Sequence, residues 1–280
     1  MSMPTFHLAP DLLVPRLCFG TMTMGEQSGP PESLRLLDAA FAAGVNFFDS
    51  AEMYPVPQRR ETQGRSEELL GRWLRARRVP RDSVVVATKV AGPSGQMTWI
   101  RNGPLSLDSQ NIAEAIDSSL RRLGVDYIDL YQIHWPDRYV PMFGETEYDP
   151  SHQINLLAYS PMAMGILSGK YYSDDGGPPD ARMNLFRGRY SEGESRYNLQ
   201  NPKLKAAVKE YTKIGSKHGI SPAILAVAFV LRHPLVASAV FGAAKISQLT
   251  EVLQATRVHL SEEIIAEINE VHARYPNPCP

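Results

Sequence analysis

Between residues 17 and 134, short apolar runs alternate with amphipathic helical stripes, and this rhythm constrains the fold more than any other feature of the chain. A short apolar run bounded by turn residues reads as a strand buried on both faces, and apolar residues at i, i+3, i+4 read as a helix laid on a sheet. The runs are Leu17 to Met22, Val45 to Ser50, Val84 to Val90 and Tyr127 to His134. Between them lie a helix from about Pro31, with Leu34, Leu37 and Phe41 on one face and Gly44 at its end, and a second marked by Leu70, Trp73 and Leu74. A third runs from near Asp108 to Gly124 and presents Ile112, Ile116, Leu120 and Leu123. Asp108 suits an N-cap because its carboxylate accepts the free N–H groups of the first turn, and Gly124 suits the left-handed residue that ends a helix. Strands that each return through a helix lie parallel in one sheet, a pattern shared by a (β/α) barrel and a doubly wound sheet.

The rhythm breaks after His134. Residues 135–153, WPDRYVPMFGETEYDPSHQ, hold three prolines, one glycine and no apolar stripe, so they supply no helix for a parallel crossover. An apolar run resumes from Ile154 to Ser160, and the Gly-, Asp- and Arg-rich stretch 170–200 is expected as an extended surface or lid loop. Asn201-Pro202 and Ser221-Pro222 each place a capping residue before a proline at the first helical position. Leu204, Val208 and Tyr211 line the first of these helices, and Ile224, Ala228 and Leu231 the second. The last apolar run is Val236 to Phe241, and helices over about 246–255 and 261–274 close the chain. Without repeats or low-complexity tracts, residues 1–280 are expected as a single domain.

A net charge of -1 over 280 residues supplies no field to attract nucleic acid or an anionic membrane, so neither is expected as a partner. Cys18 and Cys279 stand near opposite ends and form neither a disulfide framework nor a metal-spaced cluster; the seven histidines show no HxH or HExxH spacing, and no metal is expected. The longest apolar stretch, Ala223 to Leu231, is too short to span a bilayer, and the N-terminal residues lack a basic segment followed by an apolar run. The expected location is cytoplasmic.

Four polar residues mark the C-terminal ends of three successive strands, where barrel enzymes place their catalytic groups: Asp49, Tyr54 five residues on, Lys89 and His134. Reducing a carbonyl with a nicotinamide requires a hydride from the cofactor and a proton for the developing oxyanion. Tyr54 suits the proton donor, with Lys89 expected to lower its pKa by favouring the phenolate. Asp49 supplies the counter-charge that keeps a buried lysine protonated, and a neutral His134 donates a hydrogen bond to the carbonyl oxygen. Trp99 and Trp135 stand where they can wall an apolar substrate pocket or simply pack. Arg182 and Arg187 read as charge on a solvated loop rather than as phosphate clamps.

The stretches LCFGTMTMG, GVNFFDSAEMY, GRSEELLGRWL, VVVATKV, SSLRRLGVDYIDLYQIHWP, LLAYSPMAMGILSGKY and VFGAAKISQL, in this order, resemble the signature segments of the aldo-keto reductase family. The resemblance covers most of the chain and implies an α/β fold of (β/α)8 TIM-barrel type. It implies that Asp49, Tyr54, Lys89 and His134 form the catalytic tetrad of an NADPH-dependent reductase converting aldehydes or ketones to alcohols. It further implies that NADP(H) is held by Tyr159, Ser160, Met162, Gly169 and Lys170 and by Gly242, Ala243, Lys245, Gln248 and Glu251, with Lys245 facing the 2′-phosphate. Val252 stands where the family often carries an adenine-binding asparagine. The family's fifth and sixth units, which hold the nicotinamide carboxamide, have no counterpart, so the barrel is expected to be incomplete, with about six strands and an internal deletion near 140–154. Two such units amount to roughly 60 residues. A barrel lacking them keeps two open edges that must pair, rearrange or aggregate. The alternative expectations are a cofactor-binding or regulatory module with little turnover, like the family's channel-associated subunits, or a truncated, non-functional product.

Overall fold

The computed structural model describes residues 3–94, 97–103, 105–135 and 156–279. It opens with an antiparallel hairpin, β1 (Thr5–Ala9) and β2 (Leu12–Pro15), turning at Pro10-Asp11, a residue pair suited to a tight turn. The expected alternation follows as β3 (Leu17–Gly20), α1 (Pro30–Ala42), β4 (Phe47–Asp49), α2 (Arg65–Arg77), β5 (Val85–Val90), α3 (Ser109–Leu123) and β6 (Leu130–Ile133). Then come β7 (Leu156–Tyr159), two short helices α4 (Arg182–Leu185) and α5 (Ser191–Arg196), and α6 (Pro202–Lys217). The chain ends with α7 (Pro222–Arg232), β8 (Val236–Phe241), α8 (Ile246–Leu253) and α9 (Glu262–Arg274). Asp108 caps α3 by accepting from Asn111 N–H at 2.8 Å, and Asn201, Ser221 and Ser261 cap α6, α7 and α9 in the same way. The break read in the sequence begins at Trp135; residues 136–155, with the deletion expected near 140–154, lie outside the described residues.

Six strands form one curled, wholly parallel sheet in the order β6-β5-β4-β3-β8-β7, the incomplete barrel that the sequence implied. Alternation along each strand sorts its side chains between two apolar layers. Leu17, Phe19, Phe48, Val86, Ala239 and Phe241 face the helices and join the main core, whereas Cys18, Phe47, Ala87 and Val240 belong to a second layer. The β1–β2 hairpin contributes Val14, Leu8 and Leu12 to that second layer, so it covers the N-terminal end of the barrel. At the two sheet edges the covering is thinner: Ile133 of β6 is 62% exposed and Tyr159 of β7 is 70% exposed. Among the described residues no single helix is long and apolar enough to cross a membrane.

The helical layer locks to the sheet at α2. Gly71 lets α2 and α3 approach so closely that a Cβ there would sit 2.0 Å from Leu123 O. Trp73, 1% exposed, packs its ring against Phe41 and Phe48 at 5.5 and 5.1 Å between centroids, and its Nε1–H donates to Asp38 at 2.9 Å. Trp73→Ala therefore opens a cavity between α1, α2 and β4 and leaves Asp38 without one donor. The expected loss is about 3–5 kcal/mol, measured as a lower urea midpoint at unchanged m-value.

The stretch 170–200 departs from expectation. It is folded rather than extended, with α4, α5 and a short 3-10 turn at Lys170–Tyr172, and it buries Met183, Phe186 and Tyr190. Those three residues sit at nearly helical spacing, a signal masked by the asparagine, arginines and glycine between them.

Candidate active site

The strand period of two decides which polar groups converge. Asp49 follows Phe47 on the inner face of β4, and Lys89 follows Ala87 on β5. Gln132 follows Leu130 on β6 and pairs in register with Lys89. Lys89 Nζ lies 2.5 Å from Asp49 Oδ2 and donates to the Ser50 carbonyl at 2.5 Å; Gln132 Nε2 donates to Asp49 Oδ1 at 2.8 Å. Both carboxylate oxygens are thus engaged in a site where Asp49 is only 4% exposed. Burial works against the Lys89 ammonium, but Asp49 and then Tyr54 outweigh it, and the lysine pKa stands above its ordinary value. Sequence reading missed Gln132, although its place two residues before His134 puts both on one strand face.

Tyr54 reaches the same spot from the turn after β4, with its N–H donating to Ala51 O and its carbonyl accepting from Gly64 N–H. Its hydroxyl lies 3.4 Å from His134 Nε2, the two rings meet edge to face at 5.4 Å, and Lys89 Nζ is 5.0 Å from the Tyr54 ring centre. The expected lowering of the tyrosine pKa is corrected by the structure. Burial is the largest influence and raises it, Lys89 pulls it back, Asp49 adds to the rise, and the net shift is upward. Tyr54 is accordingly a protonated phenol at neutral pH. Burial, assisted by Lys89, pushes His134 down to about 3, so its ring is neutral there too. His134 Nδ1 is buried with no hydrogen-bond partner among the described residues.

These side chains open into a cavity of about 1250 Å³. Trp99 and Trp135 line it beside Met22 and Met97, and Trp135 is fixed by its Nε1–H donating to Pro93 O at 2.9 Å. Of the residues expected to grip a cofactor, Tyr159, Ser160, Met162, Lys170, Gly242, Gln248 and Glu251 line the cavity, as does Val252, which offers no amide. Gln248 also accepts from Ala244 N–H at 2.9 Å, tying down the turn before α8. Gly169, Ala243 and Lys245 do not line it. Gly169 supplies the left-handed turn (φ 80°) before Lys170, and Ala243 is packed in the main core. Lys245 pairs with Asp180 at 2.6 Å, so its charge is already matched.

Arg182 corrects a second expectation. It is not on a solvated face: it lines the cavity, with Nη1 3.1 Å from Met164 Sδ and Nε donating to Gln27 Oε1 at 3.4 Å. Burial lowers its pKa, and burial followed by Arg182 lowers that of Lys170. Neither cation has a carboxylate within ion-pair distance among the described residues, although Asp180 and Glu251 act on Lys170 from further off. Arg187 is exposed, as the sequence suggested. Elsewhere, His218, Glu263 and Glu267 cluster within 4.8 Å, but Lys217 Nζ already occupies the two carboxylates at 2.9 and 2.6 Å.

The family model described as Aldo/keto reductase family matches residues 16–151 and 145–273. Protein tas of Escherichia coli is 33% identical over 353 aligned positions, covering 98% of this chain and 99% of that protein. An uncharacterized oxidoreductase of Bacillus subtilis, YrpG, is 27% identical with coverage of 95% and 94%. A probable voltage-gated potassium channel subunit beta of Oryza sativa is 29% identical, covering 93% of each chain.

Proposed function

Since the chain belongs to the aldo/keto reductase family, a family of oxidoreductases, we propose that it reduces an aldehyde or ketone to an alcohol with NADPH and that Tyr54 donates the proton. The observation that carries the reading is the Tyr54 hydroxyl, 3.4 Å from a neutral His134 and beside the buried Lys89–Asp49 pair, on a residue lining a cavity large enough for a dinucleotide and a small carbonyl compound.

The donor set fits such a cofactor. Lys170 and Arg182 are cavity cations without carboxylate partners among the described residues, suited to phosphate groups, and the exposed ring of Tyr159 offers a flat apolar face. When bound, the reduced nicotinamide supplies a hydride to the carbonyl carbon. His134 Nε2–H and the Tyr54 hydroxyl orient the carbonyl oxygen, Tyr54 gives it a proton, and the Lys89 ammonium stabilises the phenolate left behind. Asp49 holds Lys89 in its charged form, and Gln132 holds Asp49. Trp99 and Trp135 keep water from the apolar side.

The same reading places the protein in the cytoplasm, as one domain over residues 1–280 from which two barrel units are missing. An alignment of 353 positions against a chain of 280 leaves at least 73 (353 less 280) with no residue of this chain, and the two family-model matches meet at 145–151; both support that reading. A cofactor-holding module with little turnover is the second reading. It is favoured by β6 and β7 standing at the sheet edges, without a further strand beside them among the described residues, and by the resemblance to proteins described as potassium channel beta subunits.

The test is NADPH oxidation with a panel of aldehydes and ketones, followed across pH. Tyr54 must carry its proton, which it loses only as pH rises through a pKa above the ordinary tyrosine value, and His134 must be neutral, which it is above about 3. Reduction is therefore expected to be flat from about pH 5 to about pH 9 with no inflection near 6.5, while the reverse oxidation, which needs the phenolate, climbs about tenfold per pH unit. A folded chain that quenches its tryptophan fluorescence with NADPH yet turns over none of the panel supports the module instead.

A further inference from the structure

We propose that Glu52 and Arg101 form a positioning latch that holds the end of β5, which carries Lys89, against the turn that carries Tyr54; the inference rests on the reading of Tyr54 as proton donor. The two side chains are 2% and 3% exposed, and Arg101 Nη1 donates to Glu52 Oε1. Together they grip Ala91 by both backbone groups: its N–H donates to Glu52 Oε1 at 2.6 Å, and its carbonyl accepts from Arg101 Nη2 at 3.0 Å. The Glu52 N–H donates to the Lys89 carbonyl at 3.2 Å. A residue two before Tyr54 thereby holds both Lys89 and the residue two beyond it. Arg101 Nε donates in turn to Asn111 Oδ1 at 3.1 Å, in the first turn of α3.

The parallel ladder explains why a latch is needed. Pairing of β5 with β6 ends at Val90, whose carbonyl accepts from His134 N–H, so Ala91 has left the ladder. The ion pair supplies the two hydrogen bonds that a neighbouring strand would have made. Arg101 is also held at φ 48° and Asn102 at φ 56°, left-handed backbone that non-glycine residues keep where surrounding bonds over-determine it. Stability alone is a weak reason to bury this pair, because the desolvation of two charges offsets their attraction and apolar replacements of such pairs are often neutral. What remains is geometry at the reacting group, where a displacement of about 1 Å can cost about 100-fold in rate.

The experiment compares the native enzyme with Arg101→Lys, which keeps the charge and loses the planar fork, and with the double variant Glu52→Gln/Arg101→Met, which removes both charges of the latch together. Both are expected to bind NADPH with unchanged Kd while kcat falls about 100-fold, KM moves little, and amide exchange of residues 87–91 quickens. The high-pH fall in reduction should also shift, since Lys89 would no longer sit squarely beside Tyr54. A folded double variant with native kcat, pH profile and exchange overturns the latch. If the double variant does not fold, native turnover by Arg101→Lys overturns it. Should the native enzyme show no turnover, the functional reading falls by itself, and exchange at Ala91 still decides the latch: unchanged protection in the variants rejects it.

Discussion

Tyr54→Phe is expected to remove carbonyl reduction almost entirely, with kcat down about 10²–10⁴-fold, while NADPH binding and the melting temperature stay near native values. The variant keeps the ring that packs at 5.4 Å against His134 and loses only a hydroxyl that lies 3.4 Å from His134 Nε2. A hydrogen bond of that length contributes little to folding, so stability should change by less than about 1 kcal/mol. Stopped-flow single turnover at saturating NADPH isolates the chemical step from product release. Retention of more than about a tenth of the native rate would assign the proton to another group.

Lys89→Met should have a double effect. Asp49, 4% exposed, would lose its only ion-pair partner among the described residues and keep the Gln132 amide, leaving a buried carboxylate without compensation. Removing one partner of a buried pair costs about 3–5 kcal/mol. Turnover falls as well, because the phenolate formed at Tyr54 loses the ammonium 5.0 Å from its ring centre. The two consequences separate in the double variant Lys89→Met/Asp49→Asn: with the buried charge gone, the urea midpoint should recover while kcat does not. Recovery of both would make the pair a structural ion pair and nothing more.

Much of the architecture was legible because it is written in local periodicity. Alternation of apolar and helical segments marked the strands from β3 to β6, with their ends displaced by at most three residues, as where β6 begins at Leu130, opposite Ala87, rather than at Tyr127. Caps such as Asp108, Asn201, Ser221 and Ser261 act within one helical turn and are readable for the same reason. The family and the incomplete barrel were legible through whole motifs matched in order.

The site divides along the same line. Residue type and strand end singled out Asp49, Tyr54, Lys89 and His134, since catalytic groups on a parallel barrel gather where the strands finish. The sequence by itself therefore determined which groups sit at the strand ends and that the barrel is incomplete. Only the tertiary structure decided how those groups are charged and what holds them. Burial outweighs Lys89 and raises the Tyr54 pKa. Arg182 is drawn from a presumed surface loop into the cavity wall, while Lys245 is taken up by Asp180. Glu52 meets Arg101 across 49 positions of chain. The physical reason is common to all of them: desolvation and ion pairing depend on neighbours brought together from distant segments, whereas strand period and helix caps depend on residues only a few positions apart.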